Sequence, residues 1–197
     1  MKNERIFIIQ NITYTIAVML ISGSVIQAFL LENGIRESKV ALYLSVIQLV
    51  QVGCMLALSV VIDKVKNVLK LCAYTIILQL AVYVALIFLC IFREISIDTK
   101  YLIIFISSII ANVFQAIYNI ISYKVPYHAI KINRFGFLTG LLGIFTGIVC
   151  SGVTAVMTYF TKRFDYNTVM LVFFVAGAIS FVIAFLSTLS IEDIKPV

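Results

Sequence analysis

Tryptophan is absent from this 197-residue chain, proline occurs twice and histidine once. So little proline and no tryptophan exclude collagen-like and loop-rich secreted chains. Only 12% of the residues are charged, where soluble domains carry about a quarter. What fills the space is apolar: 62% of the chain is hydrophobic and its mean hydropathy is +1.12. The formal charge is +6, but the fifteen basic residues stand singly or in small groups between apolar runs. Juxtamembrane anchors are distributed in that way, whereas a nucleic-acid footprint gathers on one face. The expected medium is therefore a lipid bilayer, with no nucleic acid as partner.

Cys54, Cys72, Cys90 and Cys150 all lie in or at the ends of apolar segments, without a Cys-x-x-Cys pair or a His or Asp at ligand spacing. They read as small buried hydrophobes, so neither a disulfide, a metal nor a cofactor is expected. The sequon Asn11-Ile12-Thr13 falls inside the first apolar run and is discounted on that ground.

A hydrocarbon core about 30 Å thick needs roughly 20 apolar residues in a helix. Six stretches meet that length: 6–31, 41–62, 71–92, 101–123, 137–160 and 168–190. The first is longer than the roughly 7–15 residues of a secretion-signal core and has no small-x-small cleavage site at its end, so it is expected to remain in the chain. Barrel strands would be about half as long and alternate in polarity, so the fold class is an all-α membrane protein, one domain of six transmembrane helices over 1–197.

Counting from an amino terminus placed inside, nine basic residues fall inside: Lys2, Arg5, Lys64, Lys66, Lys70, Lys124, Lys131, Arg134 and Lys195. Six fall outside: Arg36, Lys39, Arg93, Lys100, Lys162 and Arg163. That bias places both termini in the cytoplasm, in a plasma (cytoplasmic) membrane.

No Asp, Glu, Lys, Arg or His lies near the centre of any span. A charge there costs about 2.5–3.5 kcal/mol on insertion scales, so such residues appear mainly where chemistry requires them. Proton-coupled pumping and intramembrane hydrolysis need such groups, and the chain is not expected to be an enzyme. His128, in a connection beside Pro126, reads as a surface residue.

Uncharged polar residues are more suggestive. On the fourth span Ser108, Asn112, Gln115, Asn119 and Ser122 recur at steps of four, three, four and three, which places them on one helix face. One reading is a hydrated pathway whose amides exchange hydrogen bonds with a polar solute. The other is interhelical bonding, worth about 0.6 kcal/mol each. Ser24 and Gln27 on the first span and Gln48 and Gln51 on the second are smaller echoes, and Gln27 joins the candidate pathway. On the fifth span Gly136, Gly140, Gly143, Gly147, Ser151 and Thr154 make a small-residue stripe. It signals close helix packing, or equally a flexing helix.

The connection after the second span reads Ser59-Val60-Val61-Ile62-Asp63-Lys64-Val65-Lys66-Asn67-Val68-Leu69-Lys70. It resembles the signature loop of the major facilitator superfamily, Gly-x-Leu-Ala-Asp-Arg-x-Gly-Arg-Arg, with Asp63 at the acid and Lys64 at the following base. Ser59, Lys66 and Asn67 depart from it, and an ordinary positive-inside loop would look similar. The loop sits between the second and third of six spans, and a longer basic connection leads into the glycine-rich fifth.

The resemblance implies two inverted three-helix repeats forming the amino-terminal half of a carrier that moves a small solute by alternating access. It covers the whole chain but only half of such a carrier. A second six-helix half is implied as partner, whether a second copy or a separate polypeptide, and a role for Asp63 at an inner gate depends on it. A non-transporting membrane scaffold, assembly or immunity factor is the rival reading.

Overall fold

The computed structural model describes residues 2–91, 95–130, 134–164 and 166–192. Arg93, Glu94, Lys131, Asp165 and Lys195 lie outside the described residues, as do the side chains of Ser24, Asp63, Cys90 and His128. The helices are α1 (Lys2–Ile21), α2 (Ser24–Glu32), α3 (Glu37–Ser59), α4 (Val68–Ile91), α5 (Ile97–Ser122), α6 (Val125–Ala129), α7 (Phe135–Thr161) and α8 (Tyr166–Leu189). A 3-10 turn, Ile62–Lys64, stands between α3 and α4.

Six helical stretches are long and apolar enough to cross a bilayer: Lys2–Glu32, Glu37–Ser59, Val68–Leu86, Ile97–Tyr127, Phe135–Thr161 and Thr168–Leu189. The 23 residues of α3 rise about 35 Å, enough for the hydrocarbon core. The chain is an all-α, multi-pass membrane protein.

Two departures from the sequence reading have a visible cause in the backbone. The first span, expected unbroken over 6–31, is interrupted at Gly23, whose φ of 61° lies in the left-handed region. Glycine enters that region without a Cβ penalty. Just before it, the Ser22 amide and hydroxyl both donate to the Val18 carbonyl, at 2.9 and 2.6 Å. The second span, expected to reach 62, stops at Ser59. There Val61 N–H donates to Leu58 and Lys64 N–H to Val61, both at 3.0 Å, tightening the chain into successive three-residue turns.

Other ends follow ordinary capping chemistry. After α2, Ile35 N–H donates to Leu30 (3.0 Å) and Gly34 N–H to Leu31 (2.9 Å), with Gly34 at φ 79° and Ile35 buried. This pattern closes the helix with a left-handed glycine and a hydrophobic contact. At the start of α5 the Ser96 hydroxyl accepts the Thr99 N–H at 3.3 Å, with Asp98 in the first turn.

The described chain divides into two compact units. The first comprises Met1–Val25 and Tyr123–Val197, and within it α1 packs along α8 and α7. The α1–α8 seam is tight near the end of α1, where a Cβ on Gly177 would fall on the Ile21 side chain and 3.3 Å from the Ala17 carbonyl oxygen. One turn away Tyr14 meets Phe181 edge to face, with ring centroids 5.8 Å apart. At the ends, Arg134 pairs with Glu4 at 3.2 Å and Lys2 with Glu192 at 2.8 Å.

The second unit, Ile26–Ser122, packs α5 against both α3 and α4. Its core uses Tyr43 of α3, Cys72, Ile76 and Tyr83 of α4, and Ile104 and Ala111 of α5. Lys39 pairs with Asp98 at 3.1 Å, and the Tyr101 hydroxyl donates to the Lys39 carbonyl at 3.0 Å, tying the starts of α3 and α5 together. Each of these ion pairs among the described residues joins residues that the span count puts on one side of the membrane.

Candidate functional site

The polar face of α5 divides into two halves with different chemistry. Toward the start of the helix, Ser108 is buried and accepts a hydrogen bond from the Tyr43 hydroxyl at 2.9 Å. One turn on, Asn112 is buried and its Nδ2 donates to the Ser108 backbone carbonyl at 2.8 Å. A bond to an i−4 carbonyl satisfies a polar side chain inside its own helix, which suits a medium with no water. Ser108 thus ties α5 to α3, while Asn112 is satisfied within α5.

Gln115 and Asn119 are only half-buried, and neither carboxamide has a hydrogen-bond partner among the described residues. Asn119 lies three residues from the end of α5, about 5 Å of rise. Gln115 lies seven residues from that end, about 10 Å along α5 from it. An amide left without a partner in hydrocarbon costs several kcal/mol, so Gln115 requires water, a solute or another chain. Ser122 closes the stripe, its hydroxyl donating to the Asn119 carbonyl at 2.8 Å.

Gln27, the candidate pathway residue outside α5, is half-buried on α2, and no hydrogen bond joins it to the α5 stripe. Of the two echoes on α3, Gln48 is exposed and Gln51 half-buried. In the signature-like loop, Lys64 is exposed in the 3-10 turn, while the side chain of Asp63 lies outside the described residues.

The small-residue stripe of α7 is bare. Gly136, Gly140, Gly143 and Gly147 are exposed, and a Cβ on any of them would meet nothing within 4 Å. The Thr154 hydroxyl at its far end donates to the Cys150 carbonyl at 2.8 Å. Within the chain the close helix approach is made at Gly177 instead, a residue the sequence reading did not single out. Its signal was present in the run Gly177, Phe181, Ala184, Thr188, which alternates steps of four and three and is buried throughout.

Other buried polar residues also escaped notice. On α4, Thr75, Gln79 and Tyr83 follow at steps of four on one buried face, with the Thr75 hydroxyl donating to the Cys72 carbonyl at 2.8 Å. On α1, Gln10 is buried and its Oε1 accepts from Asn11 Nδ2 at 2.8 Å. The same Asn11 amide donates to the Phe7 carbonyl at 3.0 Å. Cys54, Cys72 and Cys150 are free thiols; Cys72 is fully buried and the other two half-buried.

No protein family, curated protein or solved structure matches this chain.

Proposed function

We propose that this six-span membrane protein is one half of a carrier for a small polar solute, arranged like the amino-terminal half of a major facilitator transporter. The observation that carries the reading is Gln115: a half-buried carboxamide well inside a span, without a partner among the described residues. Water or solute in a pathway would satisfy it, and a second half would enclose that pathway. The bare glycine stripe of α7 supports the need for a further chain, because its backbone is open to close approach. On this reading the protein works by conformational exchange and performs no catalysis. The resemblance of Asp63 and Lys64 to the signature loop points the same way.

The test uses a chain with its native cysteines replaced by alanine and single cysteines at 108, 112, 115 and 119. Q115C and N119C are expected to react with a water-soluble maleimide in bilayers, while S108C and N112C stay slow. Inertness of Q115C would sink the pathway reading. Single-molecule photobleaching in lipid, with and without a candidate six-span partner, then tests the second half. A strictly monomeric chain that moves solute would overturn that part.

A second reading, a non-transporting scaffold, is favoured by one observation. Ser108 and Asn112 spend their polar capacity inside the unit, as packing residues do. A dry Gln115 that becomes protected only when a partner protein binds would select it.

A further inference from the structure

Between α1 and α8, inside the first unit, runs an open groove of about 620 Å³. Its two walls change character along their length. Ile9 and Ile183 form the deeper end and Ile6 and Leu186 the middle, while Lys2 and Ser190 stand at the rim where α1 begins and α8 ends. Ile9, Ile183 and Leu186 are each well exposed. Below the rim Ser187 is the one polar residue of the lining, fewer than the several polar groups by which pockets orient a water-soluble ligand. An acyl chain fits the walls, and the rim carries the charge. Lys2 is an exposed cation there, set against the carboxylate of Glu192, and Arg5, one turn further along α1, is exposed as well.

Glu192 is held in two separable ways. Its backbone is clasped by Asn3, whose Nδ2 donates to the Glu192 carbonyl at 2.6 Å and whose Oδ1 accepts the Glu192 N–H at 3.3 Å. Its carboxylate independently meets Lys2 Nζ at 2.8 Å, with each side chain 73% exposed. An anionic group is thus set against Lys2 at the mouth of an apolar groove, and the contact is exposed enough to exchange.

We propose that this groove binds one anionic phospholipid of the leaflet facing the amino terminus, its acyl chain along Ile6, Ile9 and Leu186 and its phosphate on Lys2 in place of the Glu192 carboxylate. Glu192 is then a built-in competitor for the headgroup, and removing its charge strengthens lipid binding. A basic residue near a bilayer surface favours an anionic lipid by about fivefold. The proposal is independent of the carrier reading.

The absence of tryptophan makes the test clean, since one introduced tryptophan is the sole indole in the chain. Val182, exposed on α8 beside Ile183 without lining the groove, receives it in one variant; Ile148, exposed on α7, receives it in a control. Quenching by brominated phosphatidylglycerol is compared with quenching by brominated phosphatidylcholine in bilayers of the full chain. V182W is expected to prefer the anionic lipid about fivefold and I148W to show a ratio near one. Adding K2Q to V182W should bring the ratio toward one, and adding E192Q should raise it above that of V182W alone. A ratio near one at V182W, the same preference at both positions, or a fall on adding E192Q would each overturn the proposal. The last outcome would leave the Lys2–Glu192 pair as a clasp and nothing more.

Discussion

Replacing Gly177 by alanine adds one methyl group where the α1–α8 seam leaves no room for a Cβ. The new Cβ would fall on the Ile21 side chain, 2.8 Å from its Cδ1, and 3.3 Å from the Ala17 carbonyl oxygen. Carbon pairs prefer about 3.5–4.0 Å, so relieving the Cδ1 contact alone opens the seam by about 0.7–1.2 Å, and the nearer Ile21 Cγ1 demands more. A gap of about 0.5–1 Å forfeits a quarter to a half of each dispersion contact along the seam, and overpacking of this kind costs about 1–3 kcal/mol. Alanine also favours a helix over glycine by about 1 kcal/mol, which partly offsets the loss. Gly143→Ala on α7 supplies the control, because its Cβ meets nothing within 4 Å and only the propensity gain remains. Comparing the two alanine variants cancels the propensity and isolates the clash, an expected difference of about 1–3 kcal/mol with G177A the less stable. Reversible unfolding by steric trapping in bicelles measures it. Two variants agreeing within about 0.5 kcal/mol, the scatter of ordinary surface changes, would refute a close-packed α1–α8 seam.

Three further outcomes are expected. Tyr43→Phe and Ser108→Ala should each destabilise the chain modestly, and a double-mutant cycle should give a coupling near 0.6 kcal/mol, the membrane average; zero coupling would place the 2.9 Å bond in doubt. Gly23→Ala forces an L-residue into the left-handed region at a cost of about 1–2 kcal/mol, whereas Gly53→Ala, in mid-helix with open space around it, should be neutral or stabilising; equal unfolding curves would argue against the break. Hydrogen bonding from Lys2, then its charge, holds the Glu192 carboxyl below the usual carboxylate range, so the pair is intact above that range and lost as pH falls through the lowered value. A carboxyl-carbon NMR titration should show Glu192 returning toward ordinary behaviour in K2Q, and an unchanged titration there would remove Lys2 as the cause.

The six spans were legible because a bilayer leaves an apolar chain few solutions, and a run of about 20 apolar residues announces itself. The break in the first span was not. Ser22-Gly23-Ser24 sits within an apolar run, and glycine is frequent inside transmembrane helices, so composition gives no sign that φ turns positive there. The α5 face was legible as a face, yet its division into satisfied and unsatisfied halves depends on Tyr43, 65 positions away on another helix. The same limit separates the glycines. Gly143 belongs to the more conspicuous stripe, but Gly177 meets the neighbouring helix, because the decisive atoms belong to Ala17 and Ile21.

The make-up of the first unit has a consequence for biosynthesis. Its α1–α8 seam joins Ala17 to Gly177, positions separated by the entire second unit. Residues 26–122 are contiguous and can pair as soon as they leave the ribosome. At about 5–20 residues per second, α1 waits roughly 8–30 s for α8 to be made. Throughout that delay the face bearing Gln10 and Tyr14, buried in the finished protein, has no α8 to cover it. An insertase or holding factor that shields a polar-faced helix in the membrane would act during this interval, on α1, and release it when α8 emerges.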